Sequence, residues 1–211
     1  MVLIISNKEI IGIINNAMEF FEIKRKIFEV EEKIGERTYR VIRNGKVFFL
    51  KDFENDKKGF EEYVDTEWRL NSTGIPHPKI YAYDKNELVV VAEFIDGTTV
   101  LEDLMKQDLS DDYFINAFKA NWFSKKGKLP IDFDPELWKM VNGKLYYLGS
   151  VSGTMDDKSY FEKAPMRLWY YTKDFAKYLI RKGLPVDKAR VPDNEAAINK
   201  QMALTVVKYY I

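Results

Sequence analysis

Between Ile23 and Glu93 the apolar pattern changes period twice, from alternating to helical and back to alternating, and few folds accept that succession. The first stretch is rich in β-branched and aromatic residues and is cut by Ile34-Gly35-Glu36 and Arg43-Asn44-Gly45-Lys46. An Asn-Gly pair between apolar runs is the strongest short-range hairpin signal, because both residues accept positive φ. Three antiparallel strands are expected over Lys26–Lys33, Thr38–Arg43 and Lys46–Phe53. A helix over Lys57–Asn71 follows, with Phe60, Val64 and Leu70 on one stripe and Gly74 as its stop. Pro76-His77-Pro78 then forces extended backbone, since a residue before proline is driven out of the helical region. Lys79–Tyr83 and Glu87–Glu93 read as two more strands, joined at Asp84-Lys85-Asn86.

Helices flank this block. Ser6-Asn7-Lys8-Glu9 has the form of a capping box, and Ile10, Ile11, Ile13, Ile14 and Met18 carry a helix on to about Phe20. Thr99-Val100-Leu101-Glu102 is a second box. Beyond it the spacing predicts helices over Leu101–Lys106, Asp111–Phe123, Pro165–Lys182 and Asp193–Tyr210. An irregular stretch from Pro130 to Met155 holds one hairpin, Trp138–Val141 with Lys144–Leu148, around Asn142-Gly143. Phe94–Thr98 is the natural boundary. The expected class is therefore α+β, with a strand-rich front over 1–95 and a helix-rich back over 96–211.

Composition excludes more than it assigns. The 211 residues include no cysteine and one histidine, His77, which removes disulfides, thiolate nucleophiles and zinc-thiolate sites and leaves little for a Ser/His/Asp triad. His77 reads as a turn residue packed between prolines. Lys+Arg and Asp+Glu are 33 each, so the net charge is zero and only a local basic patch remains open. Apolar runs such as Leu88–Ala92 and Val47–Leu50 are strand-length, far short of the ~20 residues that span a bilayer. Met1–Ile5 runs straight into Asn7-Lys8-Glu9, without a basic n-region or small-residue cleavage site. A cytoplasmic protein with neither membrane nor nucleic-acid partners is expected. Abundant Lys, Glu, Ile and Tyr without Cys fits a thermophilic source.

A five-stranded antiparallel sheet with one helix inserted after its third strand resembles the small lobe of the protein kinase-like superfamily. Thr73–Asp84 and Val90–Val100 resemble its aminoglycoside and choline phosphotransferase branch, and the likeness is best from about Phe28 to Met105. It implies a two-lobed fold with a reduced helical lobe, in which 129–149 is the catalytic-loop-like segment. Lys51, at the end of Lys46–Lys51, stands where such enzymes hold the lysine that neutralises the nucleotide's α- and β-phosphates. Its expected partner is an acid on the Lys57–Asn71 helix. Glu61, Glu62, Asp65 and Glu67 all lie there, and Glu67 is preferred because it shares a face with Phe60, Val64 and Leu70. Backbone groups near Glu93 and Ile95 take the place of those that read the adenine edge. The glycine-rich loop is reduced to Ile34-Gly35-Glu36-Arg37-Thr38-Tyr39, a weak cradle in which Glu36 repels phosphate.

In the same alignment Asp132 takes the place of the catalytic acid, Pro130 stands where the family has His, and Leu137 and Gly149 stand at the two metal-binding positions. Neither Leu nor Gly offers a side-chain oxygen, and Mg²⁺ demands hard oxygen ligands. Asp134, Glu136, Asp156 and Asp157 are the acids available to take over, with Asp134 and Asp156 preferred. The resemblance thus implies ATP as the ligand and leaves Mg²⁺ in doubt. Three functional readings follow: a pseudokinase acting as a nucleotide-binding or interaction module, an active phosphotransferase with relocated metal ligands, and a nucleic-acid enzyme hinted at only by Glu31-Glu32-Lys33. The aromatic Trp169-Tyr170-Tyr171 and the carboxyl-terminal Val206–Ile211 are expected to be mostly core, with part available to a protein partner or a second copy.

Overall fold

The computed structural model describes residues 19–151 and 160–210. The helix expected from Ser6 lies outside the described residues except at its end, and there Phe20 opens a strand instead. Strands β1 (Phe20–Ile23), β2 (Lys26–Gly35), β3 (Thr38–Arg43), β4 (Lys46–Asp52), β5 (Ile80–Asp84) and β6 (Val89–Glu93) form one antiparallel sheet in the order β1-β2-β3-β4-β6-β5. The sheet has six strands where five are expected. The additional strand is β1, which pairs with β2 from Phe20↔Glu29 to Ile23↔Lys26. Its turn, Lys24-Arg25, carries no turn chemistry in its sequence, so nothing local marks it.

The sheet curls. Phe28 on β2 meets Tyr81 on β5 at 6.1 Å between ring centres, although the two strands stand far apart in the strand order, and β1 is brought against β5. The inside of the curl is a core of Ile23, Phe28, Val41, Phe48, Leu50 and Val91. Residues one position along each strand point the other way, as the pleat requires. On that outer face Val90 joins Phe53 and Phe60 of helix α1 (Lys57–Asn71). The Asp56 carboxylate caps α1 by accepting from the Gly59 amide at 2.8 Å. A Cβ on Gly59 would lie 2.2 Å from Asp56 Oδ2, so glycine is what lets the cap close.

Past the sheet the Thr99 box forms in full: the Glu102 amide donates to Thr99 Oγ1 at 3.1 Å and the Thr99 amide to Glu102 Oε2 at 2.6 Å. It opens α2 (Val100–Lys106), followed by α3 (Asp111–Gly127) and the hairpin β7 (Trp138–Val141) with β8 (Lys144–Tyr147). The single helix expected over Pro165–Lys182 is two pieces. Ala164–Trp169 is a 3-10 turn, Tyr170 is extended, the Thr172 amide donates to the Tyr170 carbonyl at 2.7 Å to close a tight turn at Tyr171, and α4 (Lys173–Arg181) starts afresh where Thr172 Oγ1 accepts from the Phe175 amide at 3.1 Å. The last helix, α5, spans Ala196–Tyr209.

Aromatic packing joins these pieces. Trp138 stacks on Phe133 at 5.3 Å, leans on Tyr147 at 4.8 Å and meets Trp169 edge-on at 6.3 Å. Phe114 and Phe118 of α3 close the same core. Trp169, Tyr170 and Tyr171 are buried, as expected, whereas Leu204 and Val207 on α5 are exposed, Val207 by 82%. The connection from sheet to helices is braced by β7: Thr99 forms an isolated bridge with Lys139, Lys139 Nζ donates to the Ile95 carbonyl at 3.2 Å, and a Cβ on Gly97 would meet Val141 at 3.0 Å. Gly97 also has φ +144, a conformation closed to L side chains. Among the described residues no helix is long and apolar enough to cross a membrane.

Candidate functional site

Cross-strand partners share a face, and Lys51 is paired with Val90. Lys51 therefore projects from the face of the sheet that carries α1. It does not meet a carboxylate there. Its ammonium lies 4.8 Å from the centre of the Phe53 ring, and Phe53 in turn packs on Tyr63 of α1 at 5.8 Å. Among the described residues Lys51 makes no ion pair. Glu67 belongs to another set of groups: its carboxylate accepts from the Asn71 amide, and Asn71 accepts from Lys79. The expected Lys51–Glu67 pair is thus replaced by an aromatic contact on one side and an amide on the other, with Phe53 and Tyr63 filling the space. Burial, with Glu67 nearby, pushes the Tyr63 hydroxyl up to about 12.

The Lys79 chain ends at the one histidine. His77, 3% exposed, donates from Nδ1 to the Ile75 carbonyl at 2.8 Å, so its Nε2 is the acceptor for Lys79 Nζ at 3.0 Å. Burial, helped by the Lys79 charge and opposed by the Ile75 carbonyl, holds the imidazole below the usual histidine range. A histidine with a depressed folded value adds no penalty above the unfolded value of ~6.5 and loses stability as the pH falls through it, because the unfolded chain takes up the proton first. His77→Gln is expected to flatten the fall in melting temperature between pH 7 and pH 5. An offset between the two proteins that is the same at both pH values would show that His77 does not titrate in this way.

The loop facing the sheet's Lys51 end is tied shut. Arg37 of the Gly35–Thr38 turn pairs with Asp52 Oδ2 at 3.2 Å and Glu54 Oε2 at 2.5 Å. At the opposite end of the strands the Glu93 amide donates to the Lys79 carbonyl at 2.9 Å, and the Ile95 carbonyl is the one taken by Lys139. Glu93 itself is exposed and Ile95 is buried.

Asp132 and Asp134 sit together on the loop before β7, and each first serves the loop itself. Asp132 Oδ1 accepts from the Asp134 amide at 2.9 Å, and Asp134 Oδ1 accepts from the Glu136 amide at 2.9 Å and from the Tyr178 hydroxyl at 2.7 Å. Burial, with that carboxylate, keeps the Tyr178 hydroxyl protonated well above the ordinary tyrosine range. Both aspartates line an open cavity of about 780 Å³ walled by Phe133, Leu168, Tyr178 and Arg181. Lys51, Glu67, Glu93 and Ile95 are not among its lining residues. Asp156 and Asp157 lie outside the described residues.

The position expected to be the second metal ligand is closed by sterics. A Cβ built on Gly149 would lie 2.5 Å from the Tyr147 hydroxyl and 2.7 Å from its Cζ. Tyr147 is buried, and its oxygen accepts from the Asp132 amide at 3.2 Å and donates to the Ser150 carbonyl at 2.8 Å. Burial pushes that hydroxyl up to about 12. Leu137 and Gly149 bring no oxygen, Asp134 is engaged by Tyr178, and among the described residues no three His, Asp or Glu side chains are grouped to hold a metal. Among the described residues, the side chains at these positions do not fit a magnesium ion of the expected kind. Just beyond, the Val151 amide donates to Thr66 Oγ1 at 3.0 Å and Arg69 donates to the Val151 carbonyl at 3.2 Å, so the segment after the hairpin docks on α1. Tyr147, Thr66, Arg69 and Lys139 carry no local sequence signal, because each finds its partner through the tertiary fold alone.

No protein-family model matches the chain, and no curated protein matches its sequence.

Proposed function

We propose that the chain is a kinase-like protein that binds a nucleotide without efficient phosphoryl transfer, a pseudokinase working as a nucleotide-sensing or interaction module. The small lobe is 1–95 and the helical lobe 96–211, with 129–149 in the catalytic-loop position. One observation carries the reading. The strand order β2-β3-β4-β6-β5, with α1 inserted between β4 and β5, directs Lys51 from the third of these strands toward the helix-bearing face. In this reading Lys51 leaves the Phe53 ring for the phosphates of ATP when the nucleotide enters.

The reading excludes efficient catalysis for a physical reason. Neutralising the transferring phosphoryl oxygens is the main task in such chemistry, and losing one preorganised group costs about 3–4 kcal/mol, or ~10²–10³ in rate. Here two ligand positions lack oxygen and one is filled by Tyr147. The exposed Leu204 and Val207 support the interaction arm of the proposal.

A thermal-shift titration with ATP tests it. Nucleotide at ten times Kd is expected to add about 1.4 kcal/mol of stability, a rise of roughly 3–6 °C, equally with EDTA and with Mg²⁺. Lys51→Ala should remove the shift. A shift that needs the metal would favour the active phosphotransferase, and no shift with any nucleotide would end the nucleotide reading.

A further inference from the structure

Among the described residues, three hairpins close with two-residue turns in which both residues have positive φ. They are Lys24-Arg25 at 49° and 64°, Asn44-Gly45 at 52° and 71°, and Asn142-Gly143 at 50° and 73°. Two of the three use the pair that accepts this backbone with least strain; the first places two long cations there instead. A strained turn persists where its side chains have a use.

These cations gather with others around aromatic rings. Lys24 Nζ lies 4.6 Å from the centre of the Tyr83 ring and Lys26 Nζ 4.2 Å from that of Tyr81. Arg43 donates to the Tyr81 hydroxyl at 2.8 Å, and Lys46 is its cross-strand partner. Among the described residues Lys24, Arg25, Lys26, Arg43 and Lys46 take part in no ion pair, and Glu22 and Glu29 on the same strands pair with none of them. The zero net charge of the whole chain conceals this local excess. Tyr81 is 41% exposed.

We propose that this end of the sheet binds single-stranded nucleic acid, independently of the nucleotide reading. The five cations take phosphates; with Lys26 drawn off by one of them, the exposed part of the Tyr81 ring, which rests on Phe48 at 4.7 Å, receives an unstacked base. A duplex keeps its bases stacked and has no use for the ring. An acidic peptide satisfies the charges but brings no flat partner.

The test is fluorescence anisotropy with a labelled oligothymidylate of about 20 nucleotides, at salt from about 50 to 200 mM. Binding is expected, with a log–log salt slope near −3.5, from five phosphate contacts at ~0.7 each on a single strand. Lys24→Asn/Arg25→Gly installs the turn used by the other hairpins. It should hold or raise the melting temperature while weakening binding about tenfold and reducing the slope by about 1.4. Tyr81→Leu should weaken binding about tenfold with the slope unchanged. No binding at the lowest salt, an unchanged affinity and slope in the turn variant, or equally tight binding of polyglutamate of matched length would each overturn the proposal.

Discussion

Trp169→Ala is expected to lower the stability of the protein by about 4 kcal/mol. The indole is fully buried and packs against Phe161 at 5.0 Å and Trp138 at 6.3 Å. Its Nε1 donates to the Phe133 carbonyl at 2.8 Å, in the middle of the Asp132–Asp134 loop. Removing it leaves a cavity too large for the neighbours to close and an unsatisfied buried carbonyl. At roughly 2–4 °C per kcal/mol for a chain of this size, the melting temperature should fall by about 8–16 °C. Trp169→Phe keeps most of the ring volume and isolates the hydrogen bond, for which about 1–2 kcal/mol is expected. A loss under 1 kcal/mol for the alanine variant, read from urea unfolding, would mean that the loop and the 3-10 turn are not held together through this side chain.

The second large effect is expected at Gly149, and its cause is steric alone. Glycine there has no positive φ, so alanine strains no backbone; its added carbon meets the Tyr147 hydroxyl at 2.5 Å. Tyr147 is wedged against Trp138 and bonded to the Asp132 amide and the Ser150 carbonyl, so it has nowhere to move without giving up both bonds. Overpacking of this kind together with the lost bonds amounts to about 3 kcal/mol for Gly149→Ala. Gly149→Asp should cost at least as much and should not make nucleotide binding depend on Mg²⁺. In a double-mutant cycle, Tyr147→Leu should relieve most of the alanine penalty, with a coupling of about 2–3 kcal/mol. Additive losses would show that the two residues do not compete for the same space.

Much of the backbone was legible because turns and caps are local chemistry. Asn44-Gly45 and Asn142-Gly143 place two hairpins within a residue of their expected ends, and the Thr99–Glu102 box fixes the start of α2. The first hairpin escaped because Lys24-Arg25 has the opposite turn preference. The break at Tyr170-Tyr171 escaped because two buried tyrosines fit a helical stripe as well as a turn, and only the Thr172 cap decides. At the candidate site the positions of Lys51 and Asp132 on their elements follow from the pattern of strands and loops. Their partners do not. Lys51 meets Phe53 instead of Glu67, and Glu67 meets Asn71, because side-chain volume on the α1 face set those contacts and no spacing rule encodes it.

The curl that brings β1 against β5 also governs how the molecule behaves in company. An open sheet ends in two ribbons of unpaired amides and carbonyls, which template pairing with other chains. Turning the two margins toward each other deprives passing neighbours of a long, flat ribbon to zip onto, which offsets the exposure of apolar residues such as Phe20 and Ile27 on these strands.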